Sequence, residues 1–231
     1  MALVTEYDEA SRFSIEKARP FRQNGGLAVA TVRAHEDAHS GIFYFDQDDE
    51  PKVLHLAFHH RLECTADWTS WMGAIWAEPP IPKERVDAIG ALCDLIARMH
   101  TNKGLAYALR FVNSSFDTRT GALNLGPGCS GLTCSTFVMA VFKSGAVQLL
   151  QEEQWQLREG DKGRQQSLVD MLARFGASTE HVDRVKGEIG CVRFRPTDVG
   201  GAAGGVALPV GFEEATQLGE ILWSMLLKES E

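Results

Sequence analysis

Much that would mark a chain for nucleic acid, membrane or disulfide chemistry is missing from this sequence. No block of lysines or arginines stands out among its 231 residues, and the formal net charge is -8, so nucleic-acid binding is disfavoured. No apolar run approaches the roughly 18 residues of a membrane-spanning helix. The five cysteines, at 64, 93, 129, 134 and 191, are odd in number and scattered, which suits a reducing compartment rather than a disulfide framework. The opening residues lack the basic start and apolar stretch of a secretory signal. A cytoplasmic location is therefore expected, with a signal-less secretion system as the other route. Cys129 and Cys134 form no C-x-x-C pair, and neither a metal nor a cofactor is expected. Glycines 200, 201, 204 and 205 lie outside any strand–GxGxxG–helix setting, with no P-loop lysine after them, so Pro196 to Gly205 reads as a mobile loop.

What is present is an ordinary globular composition, 44% hydrophobic and 23% charged, enough for a sizeable core. Residues 1–25 are polar and mixed, with a short helix expected near Tyr7 to Lys17. Leu27 to Arg33, Ser40 to Phe45, Val53 to His60 and Trp71 to Ala77 read as four consecutive strands, suggesting an antiparallel meander. Pro82 to His100 carries a helical apolar stripe through Val86, Ile89, Leu92, Cys93 and Ile96. Further helices are expected at Ser167 to Phe175, Glu180 to Val185 and Phe212 to Leu227. Strands are expected at Ile189 to Arg195 and, as an edge, Val206 to Val210. The fold class is α+β, an antiparallel sheet packed against helices. A single domain over 1–231 is expected, with its core at 27–145 and residues 146–231 completing it.

One stretch organises the rest. Gly126, Gly128 and Gly131 belong to a loop that runs into an amphipathic helix bearing Cys134, Phe137, Val138, Val141 and Phe142 at helical spacing, stopped by Gly145. Thr133 or Ser130 can serve as N-cap. Cys134 then lies in the first turn, where free N–H groups and the helix dipole favour a thiolate. The same backbone, with Gly131, Thr133 and Ser135, is the candidate oxyanion and substrate loop.

A cysteine nucleophile needs a base and a polar group to orient that base. Alternation along Val53 to His60 puts Leu54, Leu56 and Phe58 on one face and His55 and His59 on the other. His55, inside the strand, is the candidate base, and His59 is the alternative. Glu78, at the end of the next strand, is the candidate orienting carboxylate, with Asp67 as the alternative.

The segments Leu54-His55-Leu56 and Leu132-Thr133-Cys134-Ser135-Thr136-Phe137-Val138, with Glu78, resemble the circularly permuted papain-like thiol enzymes. That superfamily includes relatives of NlpC-type cell-wall peptidases, the lecithin–retinol acyltransferase-like proteins and the PPPDE isopeptidases. A strand-borne histidine, a polar residue on the next strand and then a cysteine at a helix start carry the likeness, over roughly 27–145. The resemblance implies a permuted papain-like arrangement with Cys134 as nucleophile, His55 as base and Glu78 as orienting residue. It also implies a hydrolase or acyltransferase acting on an amide or ester bond through a thioester. The substrate would then be a peptide, acyl compound or protein; a non-catalytic ligand- or partner-binding protein on the same scaffold is the other reading. Leu218, Leu222, Trp223 and Leu226 would let the terminal helix join copies into a homo-oligomer.

Overall fold

The structure, a computed structural model, describes residues 14–15, 26–34, 36–67, 69–100 and 102–228. Strands β1 (Ser14–Ile15), β2 (Leu27–Ala34), β3 (Asp37–Phe45), β4 (Pro51–Phe58), β5 (Arg61–Thr65) and β6 (Ile75–Ala77) form one antiparallel sheet in the order β1-β6-β2-β3-β4-β5. Strict alternation explains it: Leu27 and Val29, Ile42 and Tyr44, Leu54 and Leu56 enter the main core, while Ala28, Ala30, Phe43 and Val53 face the other way under Trp71 and Trp76. The hairpin β7 (Ser115–Phe116) and β8 (Leu123–Asn124) stands apart from this sheet. Helices are α1 (Lys83–His100), α2 (Cys134–Ser144), α3 (Asp161–Arg174), α4 (Thr179–Lys186), α5 (Pro196–Ala203) and α6 (Phe212–Lys228). The chain is α+β, as expected.

Several expectations are corrected. The meander runs only from β2 to β5, a strand not anticipated; β6 then returns to pair with β2. Trp71 lies in a short 3-10 turn, so the strand expected from residue 71 begins at Ile75. Ser14 and Ile15 pair with β6 instead of joining a helix, and the rest of Tyr7 to Lys17 lies outside the described residues. Ile189 to Arg195 forms no strand, and Val206 to Val210 contributes one isolated bridge, Leu150 to Val210.

The largest difference is α5, where a mobile loop was expected. Its glycines serve packing: a Cβ on Gly200 would meet Leu222 at 2.8 Å, and one on Gly201 would meet the Gly219 nitrogen at 2.8 Å. Two helices can approach this closely only where side chains are absent. Pro196 starts α5 at a position that needs no N–H, and Asp198 reaches back to cap the Arg195 amide. Of the residues expected to face a second copy, Leu218, Leu222 and Leu226 are buried in the chain's own core and Trp223 is half-buried against it, where α6 packs on α5, β2 and β6.

The feature that makes room for a site is a splay in the sheet. The β3–β4 ladder runs only from Phe45–Pro51 to Ile42–Leu54. Beyond it, residues 38–40 stay paired with β2 but part from β4. Helix α2 packs across both strands, and its first turn closes the opening.

Candidate active site

Thr133 caps α2. Its hydroxyl accepts from the Thr136 N–H, and the Thr136 hydroxyl accepts from the Thr133 N–H, completing a capping box. Ser130, the other candidate cap, instead donates to Glu188 at 2.7 Å. That buried carboxylate also accepts the amides of Leu109 and Arg110, tying the approach to Cys134 to the neighbouring loop. The box leaves the Cys134 and Ser135 amides as the uncapped donors of the turn, and both residues line a cavity of about 640 Å³.

His39, on β3, lines the same cavity as Cys134, and the two groups shift each other's titration, the histidine upward and the thiol downward. His39 Nε2 lies 2.9 Å from His55 Nδ1. His55 Nε2 lies 3.4 Å from Glu63 Oε2, the register partner across β4 and β5, without the angle of a hydrogen bond. Trp71 packs edge-on against His55, ring centroids 5.0 Å apart, and also meets His39. Gly41 lies between the two histidine positions on β3 and β4. A Cβ there would strike the indole at 2.7 Å, so the glycine admits the Trp71 cover.

Electrostatics orders the protons along this chain. Burial pushes the Cys134 thiol up, yet the His39 charge and hydrogen bond, the Ser40 amide and the Ser135 hydroxyl together hold it below the ordinary thiol value. Burial presses His39 down, but the facing Cys134, with Glu63 and Asp37 beyond, leaves it above the ordinary histidine value. Burial first, then His39 and Arg61, lowers His55 to about 3, so it stays neutral. A neutral His55 accepts at Nδ1 from a charged His39 and carries its own proton on Nε2, toward Glu63. The Ser40 amide is free to reach sulfur because the splay removes β4 from that side of β3.

Of the expected site residues, Cys134 and His55 come together, with His55 one step removed from the sulfur. Glu78 does not join them: it follows β6, and β2 and β3 stand between β6 and β4. Asp67 lies in a turn, accepting from Thr69. His59 is turned away; its Nδ1 accepts the Tyr107 amide, and its ring packs on His60 and His181. Thr133 and Ser135 line the cavity, whereas Gly131 does not. Gly131 instead sits where a Cβ would collide with the Ala106 carbonyl, letting residues 106–108 pair with Leu132. His39 and Glu63 were missed. A period-2 reading extended back from Ser40 puts His39 on the face of Gly41 and Phe43, diagonal to His55, and would have found it.

A scan against protein-family models finds no match, and searches of curated proteins and of solved structures find none either.

Proposed function

We propose that this chain is a cysteine-dependent hydrolase or acyltransferase that cleaves an amide or ester bond through a thioester. The observation that carries the reading is that Cys134 and His39 line one cavity and His39 Nε2 lies 2.9 Å from His55 Nδ1 behind it. The base is then His39, with His55 as its orienting partner. The order noted above is kept, strand histidine, polar residue on the next strand, cysteine at a helix start, with the base moved from β4 to β3 and the orienting role from the end of β6 to β4. That order supports a permuted papain-like arrangement.

In this reading the Cys134 thiolate attacks the acyl carbon, forming a C–S bond as the carbonyl electron pair moves to oxygen. The Cys134 and Ser135 amides are placed to hold that oxyanion. Collapse breaks the C–N or C–O bond, and the leaving group takes the His39 proton. Water, or another acceptor, gives its proton to His39 while attacking the thioester, and sulfur departs as thiolate with the imidazolium restored.

The test is thiol alkylation against pH, located by peptide mass spectrometry. At pH near 6, below the ordinary thiol range, Cys134 should react faster than Cys129, and His39→Ala should remove that advantage. Equal rates at Cys134 and Cys129 in the unmodified chain would sink the proposal.

A further inference from the structure

The cavity in front of Cys134 is graded in character along α3. Arg164, Leu168 and Met171 all line it, and their spacing places them on one helix face. The rise of about 1.5 Å per residue separates Arg164 from Met171 by roughly 10 Å. At the apolar end, Met171 and Leu168 share the wall with Phe58. At the other end, Arg164 and Arg193 converge on a single oxygen, Asp37 Oδ2, at 2.7 and 2.8 Å.

The charges there do not balance. The next carboxylate, Asp161, is fully buried and held by Arg195 at 2.9 Å, with Arg193 only at 3.7 Å. With Arg33 and Glu36, which also line the cavity, four guanidinium groups stand against three carboxylates. The Arg164 Nε contact to Asp37 also lacks hydrogen-bond geometry, and the Arg164 side chain makes no other hydrogen bond or ion pair among the described residues. A guanidinium with donors to spare, in the wall of an open cavity, is suited to an anion held by charge-assisted hydrogen bonds. The excess is local, since the whole chain carries -8.

Resting on the thioester reading above, we infer that the substrate is an amide or ester bearing an anionic group, held by Arg164 and Arg193, on an apolar body seated against Phe58, Leu168 and Met171. Carboxylate and phosphate share the required chemistry.

The test is binding to the full-length Cys134→Ala variant by calorimetry, so that turnover plays no part. Hippurate supplies a ring and a carboxylate, hippuramide the same shape without charge, phenyl phosphate a ring and a phosphate, and N-acetylglycine a carboxylate without the ring. Hippurate should bind about tenfold tighter than hippuramide, the worth of a hydrogen bond to a charged group, and tighter than N-acetylglycine. Arg164→Gln should erase the preference for hippurate over hippuramide, and Arg164→Lys should restore part of it, with unchanged melting temperatures showing both variants folded. Phenyl phosphate binding tighter than hippurate would assign the anion as phosphate, and the reverse as carboxylate. Equal binding of hippurate and hippuramide, or an Arg164→Gln variant that keeps the preference, would overturn the inference. Failure of the alkylation test with anion preference intact would remove the thioester chemistry and leave a binding cavity; the opposite pair of results would leave the enzyme and remove this substrate class.

Discussion

At the residue scale, the proton arrangement distinguishes His39 from His55 although both are histidines on adjoining strands. His39 faces sulfur and is held above its ordinary value, whereas His55 is kept neutral by burial. In the proposed reaction His39→Ala should therefore lower kcat/KM by roughly 10²–10⁴-fold, the usual worth of a positioned acid–base group. His55→Ala should cost less, because His39 stays in place with its Nε2 proton unmatched. The pH profile separates the two roles. The reactive pair exists above the folded value of Cys134, which is lowered, and below that of His39, which is raised. Activity should rise with pH through the first and fall through the second, and His55→Ala should move the falling limb to lower pH. An alkaline limb unmoved by His55→Ala would contradict the assigned contact. Cys134 was legible because a glycine loop, a capping threonine and helical spacing all point to one position. His39 was not, because its chemistry depends on where β4 leaves β3, and no local pattern records that.

At the element scale, α5 shows why composition misled. Four glycines in ten residues lower helix propensity, by about 1 kcal/mol each relative to alanine, and favour a loop reading. The structure uses the missing side chains to seat α5 on α6 and β2. Gly201→Ala should consequently destabilise the chain by about 1–3 kcal/mol through overpacking, against the gain expected from propensity alone. A melting temperature raised by this substitution would show that the helix contact yields easily. The strands and α1 were legible for the opposite reason: alternation and the stripe from Val86 to Ile96 are local signals whose tertiary partners agree with them. The return of β6 to β2 was not, since sequence order gives no hint of which edge a late strand joins.

At the scale of the whole molecule, buried and half-buried histidines link folding to pH. His55 and His59 accept protons only near about 3 and about 4 in the folded chain, against an ordinary value of 6.5. Below 6.5 the unfolded chain binds protons that these sites refuse, so stability should fall as pH drops from about 6.5 toward 4. His39 opposes this, since its raised value favours the folded chain below 6.5 and loses that effect as pH rises through it. His100, lowered by burial, acts in the same sense as His55 and His59, so with three histidines against one the net slope should be destabilising in acid. His59→Asn keeps an acceptor for the Tyr107 amide but cannot titrate, so its melting temperature should decline less across that range. Equal declines in both proteins would mean that the solvent-facing part of His59 relieves the penalty.

The capped start of α2 and the splayed strands lie far apart in the chain, and this sets an order in time. During synthesis the strand bearing His39 and Ser40 leaves the ribosome well before Cys134 does. Until α2 docks across β3 and β4, sulfur has neither the imidazole nor the Ser40 amide beside it and behaves as an ordinary thiol. On the proposed thioester reading its acidity is acquired on assembly, so the growing chain carries no activated thiol while its core is still open.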